Sequence, residues 1–426
     1  MIKHPMHMPE MPPLKMIRQS ETVPPALSGI ASAVEGEFEK IRKEAAFAPG
    51  ASIAVAVGSR GIANLPSIVR TVVSLLKAAG GEPFITPAMG SHGGANAEGQ
   101  VAVLAARGIS RETVGAPVRA TMDVDYVGEV DGIPLHIDRL ANTADGIVLI
   151  NRIKPHTNFI GKTESGLIKM MAIGLGNQIG AEHYHRLSLI KDQYKIISCA
   201  GRNLINECRV LFGVGILENQ KHQTMAIKMA TSDRIEAAES ELLKKARALL
   251  PSLPLEEIDL LVVDEMGKDI SGEGIDPNVV GRDVCAYGAR RPLPVVTRIF
   301  VRDLTEASEG SAVGVGQADF TTRRLVEKID FDATAANCLT ACCPEAGKIP
   351  LTYTNDRDAI AAALKTLRPY VIDDLRIVHI RNTMKLRKMI VSIGCLDDLT
   401  QHPEIEIQEE SLAFAFDGDG FLRSCL

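Results

Sequence analysis

The sequence predicts an α/β protein of two domains, each built on a largely parallel sheet covered by helices, with an active site in the cleft between them. Three observations carry that expectation. Apolar runs of strand length alternate with amphipathic stretches of helix length, the pattern of parallel sheets with helical crossovers. A length of 426 residues favours two domains over one. Clusters of Gly, His and Lys fall where the predicted strands end, which is where open α/β sheets bind ligands.

Taken in order, residues 1–25 are proline-rich and without an apolar core, and are expected to be an irregular arm. Residues 51–59 read as a buried strand and 64–80 as a helix. A second strand over 82–89 runs into Gly-Ser-His-Gly-Gly, and a helix follows over 96–108. Residues 125–138 read as a hairpin turning at Asp131-Gly132. The run 145–153 is a strand ending on Lys-Pro-His, and 165–176 begins a helical stretch. Another strand covers 208–218, and 233–250 is a strongly amphipathic helix. Pro251 and Pro254 lie in the best candidate linker, 251–257, so the catalytic and cofactor domain is expected over 26–255 and a second α/β domain over 256–426. The second half restarts with a strand at 258–266 and a glycine-rich loop. A strand at 295–304, helices at 318–329 and 355–367, and a strand at 375–382 follow.

Composition excludes several classes. The net charge of −6, the absence of a basic stripe and an aromatic content of 4% argue against a nucleic-acid groove. No apolar run approaches the ~20 residues of a membrane span, and the N-terminus does not read as a signal peptide. A cytoplasmic location is therefore expected. The eight cysteines are scattered, and reduced thiols are expected of them. Cys338, Cys342 and Cys343 form one knuckle only, short of the two that a zinc site favours.

Four clusters could carry chemistry. At 58–66 a strand ends in glycines, Asn64 can cap the next helix, and Arg60 stands beside the free amides of that helix. At 90–94, His92 lies between glycines. The richest is 154–185, with His156, Lys162, Lys169, His183 and His185, where Ser165-Gly166 suits a tight turn into the helix carrying Lys169. The fourth is 264–282, in which Lys268, Asp269, Asn278 and Arg282 could grip an anion. Each also has a plain reading as solvated surface or ordinary loop. A mixture of Gly, His and Met as dense as that at 154–185 is rare on a solvated face.

The third cluster resembles the nickel-pincer-nucleotide lactate racemase family. That family places a Pro-His, then Ser-Gly-Gly-x-Lys, then a histidine sixteen residues beyond the lysine. The matching residues are Pro155-His156, Ser165-Gly166-Leu167-Ile168-Lys169, and His185. The family's earlier histidine corresponds to His92, after Ala88-Met89-Gly90-Ser91, and its Thr-Arg turn to Ser59-Arg60. Leu167 stands for the second glycine, Gly93 for an arginine and Val57 for an aspartate, and three extra residues separate His156 from Ser165. The likeness covers about 50–190 well and the rest loosely.

The resemblance implies a racemase or epimerase of a 2-hydroxy acid, with the pincer nucleotide tethered to Lys169, seated by Ser165, Gly166 and Arg60, and its nickel ligated by His185. His92 and His156 would be the acid/base pair, since inversion needs a base on each face and imidazole titrates near neutrality. Arg60 and Lys268 would hold the substrate carboxylate. Cofactor maturation enzymes would be partners. Two other classes stay open. One is a metal-dependent hydrolase or lyase with His156, His183 and His185 as direct ligands. The other is a non-catalytic anion-binding protein on the same fold.

Overall fold

The computed structural model describes the chain apart from residues 1–6, 21–22, 60, 286–290, 292 and 425. It falls into two compact units, residues 23–250 and residues 1–22 with 251–426. The first strand, β1 (Leu14–Gln19), belongs to the second of these. Residues 14–19 are thus a strand and not the irregular arm the prolines suggest. Leu14 and Ile17 are buried and Arg18 is exposed. The pairing partners of this segment lie more than 350 residues downstream, beyond the reach of local pattern.

The unit 23–250 carries β2 (Ser52–Val57), β3 (Glu82–Pro87), the hairpin β4 (Val124–Val130) and β5 (Ile133–Asp138), then β6 (Gly146–Arg152), β7 (Val210–Glu218) and β8 (Thr224–Thr231). Five of these form one sheet in the order β3-β2-β6-β7-β8, all parallel except for antiparallel β8. Alternate residues serve opposite faces. Ala54, Ala56 and Leu149 join one apolar layer, with the helices Gln193–Glu207 and Ile235–Ala248. Ile53, Val55, Val57 and Ile150 join the other, with the helices Ile30–Ile41 and Leu65–Ala78. The hairpin turns at Asp131 (φ 53°) and Gly132 (φ 71°), the two positive φ values of a type I′ turn.

The unit 1–22 with 251–426 adds β9 (Glu257–Met266), β10 (Val295–Leu304), β11 (Phe320–Thr322), β12 (Leu351–Tyr353), β13 (Ile377–Ile380), β14 (Lys388–Ser392) and β15 (Ile405–Leu412). Its sheet runs β12-β11-β10-β9-β13-β14-β1-β15. The first five strands are parallel, and the last three pair antiparallel. Helices thus cover largely parallel sheets in an α/β fold. The helix expected over 318–329 is in fact β11 followed by the short helix Arg323–Glu327. Thr321 and Thr322 suit a pleated strand and are fully buried beside β10.

At the carboxyl ends of β9, β10 and β13 lies a buried ionic network. Arg302 pairs with both Asp264 and Asp356 and donates to the Leu422 carbonyl. His379 Nε2 meets Asp264 Oδ1 at 2.7 Å, and Ser424 Oγ also donates to Asp264. Burial alone would raise Asp264; the hydrogen bond and charge of His379, the Arg302 charge and Ser424 outweigh it and hold the carboxyl at about 2.

The cysteines depart from expectation. Cys285 and Cys343 form a disulfide, with their Cα atoms 5.3 Å apart, inside the ordinary range for that bond. Cys199, Cys208, Cys338, Cys342 and Cys395 are free thiols. Residues 58 positions apart in sequence gave no local sign of pairing. Among the described residues, no helix is long and apolar enough to cross a membrane.

Candidate functional site

Strand order fixes where a site can form in the unit 23–250. The chain leaves β2 for β3 on one side and returns to β6 on the other. The carboxyl ends of β2 and β6 therefore flank a topological switch point, the crevice where open α/β sheets take their ligands. Ser59 follows β2, His92 follows β3, and Asn151 to His156 end or follow β6.

Proline and a buried acid place His156. Lys154 and Ser165 exchange backbone hydrogen bonds and close the loop between them. Inside it, the Glu164 carboxylate accepts from His156 N–H at 2.7 Å and Gly161 N–H at 3.0 Å, and is paired with Arg247. Asn158 N–H donates to His156 Nδ1 at 3.0 Å, and the imidazole stacks on Phe159 with centroids 4.2 Å apart. The ring is fixed on three sides. Its Nε2 lies 2.7 Å from Lys169 Nζ.

Lys169 leaves a short turn, Leu167–Lys169, that opens at Gly166 and passes directly into a π-helical segment, Met170–Gly174. Isolated π turns are rare and often sit at functional sites. Asn151 Nδ2 holds the Gly166 carbonyl at 2.9 Å. At the far end, Gly90 N–H donates to the Gly174 carbonyl at 3.1 Å, which ties the lysine's segment to the turn bearing His92. A Cβ at Gly174 would lie 2.7 Å from the Ala88 carbonyl oxygen, so only glycine allows this approach.

His92 is exposed, and its Nδ1 lies 2.5 Å from Ser59 Oγ. A Cβ on neighbouring Gly58 would touch Met170 Cε at 3.4 Å, the residue after Lys169. His92, His156 and Lys169 are thus gathered at one set of strand ends. His185 is half-buried on the helix Asn177–Leu187. It lies four residues beyond Ala181, which packs toward Gly90, and so shares that helix face.

Other expected residues go elsewhere. His183 turns away from His185 and places Nδ1 at 3.0 Å from His136 Nε2 on β5. Burial, then the His183 charge, lower the His136 pKa. Among the described residues no three His, Cys, Asp or Glu side chains are grouped to hold a metal. His156, His183 and His185 therefore do not form a direct three-histidine ion site. Arg60 lies outside the described residues. Asn64 precedes the next helix but gives it no side-chain cap; in a left-handed conformation (φ 59°), it donates instead to Thr224 Oγ1. In the other unit, Lys268 Nζ donates to Asn337 Oδ1 at 2.5 Å. Arg282 is committed to Asp319 and the carbonyls of Gln317, Val296 and Thr297, so it is not available to grip an anion.

Sequence reasoning missed Asn151, Glu164 and Glu239. Glu239 is fully buried and accepts from Leu167 N–H at 2.7 Å and Ile168 N–H at 2.9 Å. Burial pushes it up to about 7, against the lowering effect of those two amides. A charged residue in the apolar stripe of 233–250 is the one local signal that could have found it.

The class defined so far is a doubly covered α/β sheet with a His–Lys site at its switch point. No family model and no curated protein matches the chain. Solved structures do. A structural-genomics protein from Thermotoga maritima is 14% identical, with a TM-score of 0.50 over 80% of this chain and 92% of that one. The lactate racemase apoprotein from Thermoanaerobacterium thermosaccharolyticum is 12% identical, with a TM-score of 0.44 over 72% of this chain and 69% of that one. At 14% identity the likeness to the Thermotoga maritima protein is one of fold.

Proposed function

We propose that this protein is a racemase or epimerase of a 2-hydroxy acid that works with a nickel-pincer nucleotide joined to Lys169. The observation that carries the reading is the 2.7 Å contact between His156 Nε2 and Lys169 Nζ at the switch point. The donor set fits such a group. Asn158 N–H occupies Nδ1 of His156, and Nε2 is the ring nitrogen that faces Lys169. The amine of Lys169 is the group that makes a covalent attachment. Lys169 would be the tether, Ser165 and Gly166 its seat, and His185 the nickel ligand, an imidazole being a suitable donor for nickel.

When bound, the group supplies a reversible hydride acceptor, which the unacidic C2–H of a 2-hydroxy acid calls for. The protein's share is orientation and proton transfer. His92, held at Nδ1 by Ser59, and His156, held by Asn158 and Phe159, serve as the two bases. Each takes the hydroxyl proton of one enantiomer and returns it for the other. Arg60 is the proposed carboxylate partner, and cofactor maturation enzymes are the proposed protein partners.

The test uses protein produced together with those maturation enzymes. Pure enantiomers of lactate, malate, and longer aliphatic and sugar acids are incubated in D2O. The expected result is inversion of at least one acid with its C2 hydrogen retained. Deuterium at C2, or no inversion of any acid, overturns the proposal.

A further inference from the structure

We propose that Glu239 is a positioning residue for Lys169: its buried carboxylate pins the first amides of the lysine's turn to the helix Ile235–Ala248 and so fixes where Nζ emerges against His156. This rests on Lys169 being the reacting amine of the site.

A single carboxylate oxygen receives both Leu167 N–H and Ile168 N–H, at 2.7 and 2.9 Å. Glu239 has no exposed surface, and a buried carboxylate is costly unless donors are aimed at it. Gly166 lies flat against it, since a Cβ there would collide with the Glu239 carboxyl carbon. The turn is thus held from two sides, by Glu239 on its amides and by Asn151 on the Gly166 carbonyl. Lys169 is the next residue after Ile168, and the π segment begins immediately after it. A three-residue turn has too little hydrogen bonding of its own to set a direction, so the direction of the lysine is set by its anchors. Nearby charges are already paired: Glu236 with Arg202 at 3.6 Å, and Glu164 with Arg247. The Glu239 carboxyl thus faces backbone donors of this segment, Leu167 N–H and Ile168 N–H foremost, and among the described residues no basic side chain pairs with it.

The test reads the amine itself and needs neither cofactor nor turnover, so its failure is distinguishable from failure of the proposed activity. The full-length chain is trace-labelled with acetic anhydride. Lys169 acetylation is measured by peptide mass spectrometry, relative to exposed Lys388. Glu239→Gln keeps the reach of the oxygen without the charge. Glu239→Asp keeps the charge but withdraws it by one methylene. If position is what matters, Gln leaves the Lys169 ratio within about twofold of wild type, and Asp raises it roughly tenfold as the amine comes away from His156, ångström displacements being that consequential in a site. Thermal unfolding of each variant is recorded in parallel. If Asp lowers the melting temperature while the Lys169 ratio in folded protein stays at the wild-type value, Glu239 is merely structural. Equal ratios in Gln and Asp also overturn the proposal.

Discussion

Both units end their parallel strands in charged and polar side chains, yet the two ends use them oppositely. At β9, β10 and β13 the charges are saturated. Arg302 is 7% exposed, faces two aspartates and a carbonyl, and the segment around Leu422 and Ser424 closes over it. At β2, β3 and β6 the ionisable groups stay half-buried or exposed, on turns that glycines make thin. Among the described residues, the acids that hold the turns, Glu164 and Glu239, are sealed in, and so is the Glu218 carboxylate that pairs with Arg152 at the end of β6. The contrast teaches how one topology serves two ends. Paired, buried charge fixes a unique structure, whereas imidazole and amine left within reach of a ligand can move protons.

The sharpest way to break the comparison is Lys169→Ala. It should abolish inversion and covalent attachment altogether, yet change stability by no more than about 1 kcal/mol, since alanine favours a helical turn. Chiral analysis and urea unfolding of the same sample check both halves. His92→Ala and His156→Ala come next. Each should lower inversion in both directions by about 10²–10⁴-fold, because every turnover uses both bases. In a single turnover each variant should still oxidise one enantiomer, and the two should differ in which. If both spare the same enantiomer, one of these histidines is structural.

The saturated end should respond in stability instead. Asp356→Ala strips a carboxylate from Arg302, and breaking a buried pair costs about 3–5 kcal/mol. Urea unfolding measures it, and inversion by the folded fraction should not change. A subtler test uses pH. Glu239 is raised from 4.5 to about 7, so its contribution to stability is fully present below 4.5 and is lost as pH rises through about 7. The loss is on the order of 3 kcal/mol, and Glu239→Gln should flatten it between pH 5 and pH 8. Asp264 has the opposite sign. Its carboxyl is lowered from 3.8 to about 2, so its contribution is present above 3.8 and lost as pH falls through about 2.

The legible parts of the molecule were those with local causes. Alternation of apolar runs gave the covered parallel sheets, Asp131-Gly132 gave the hairpin, and Gly-Ser-His-Gly-Gly and Lys-Pro-His marked the ends of β3 and β6. Residues whose role depends on distant contacts were hidden. β1 reads as an arm until β14 and β15 pair with it. Arg282 looks like an anion grip until Asp319 takes it. Glu239 looks like one more charge on an amphipathic helix until Gly166 leaves room for its carboxylate. His183 and His185 are equivalent in sequence, and only the helix that carries them separates the one facing His136 from the one on the Ala181 face.

The central claim is that Lys169 holds a nucleotide at the β2–β6 switch point, and the most direct measurement is intact mass with metal content. Protein produced with the maturation enzymes should be heavier than its sequence mass, with the added mass on the peptide bearing Lys169 and nickel approaching one per chain. An unmodified Lys169 peptide from that same preparation would contradict the account.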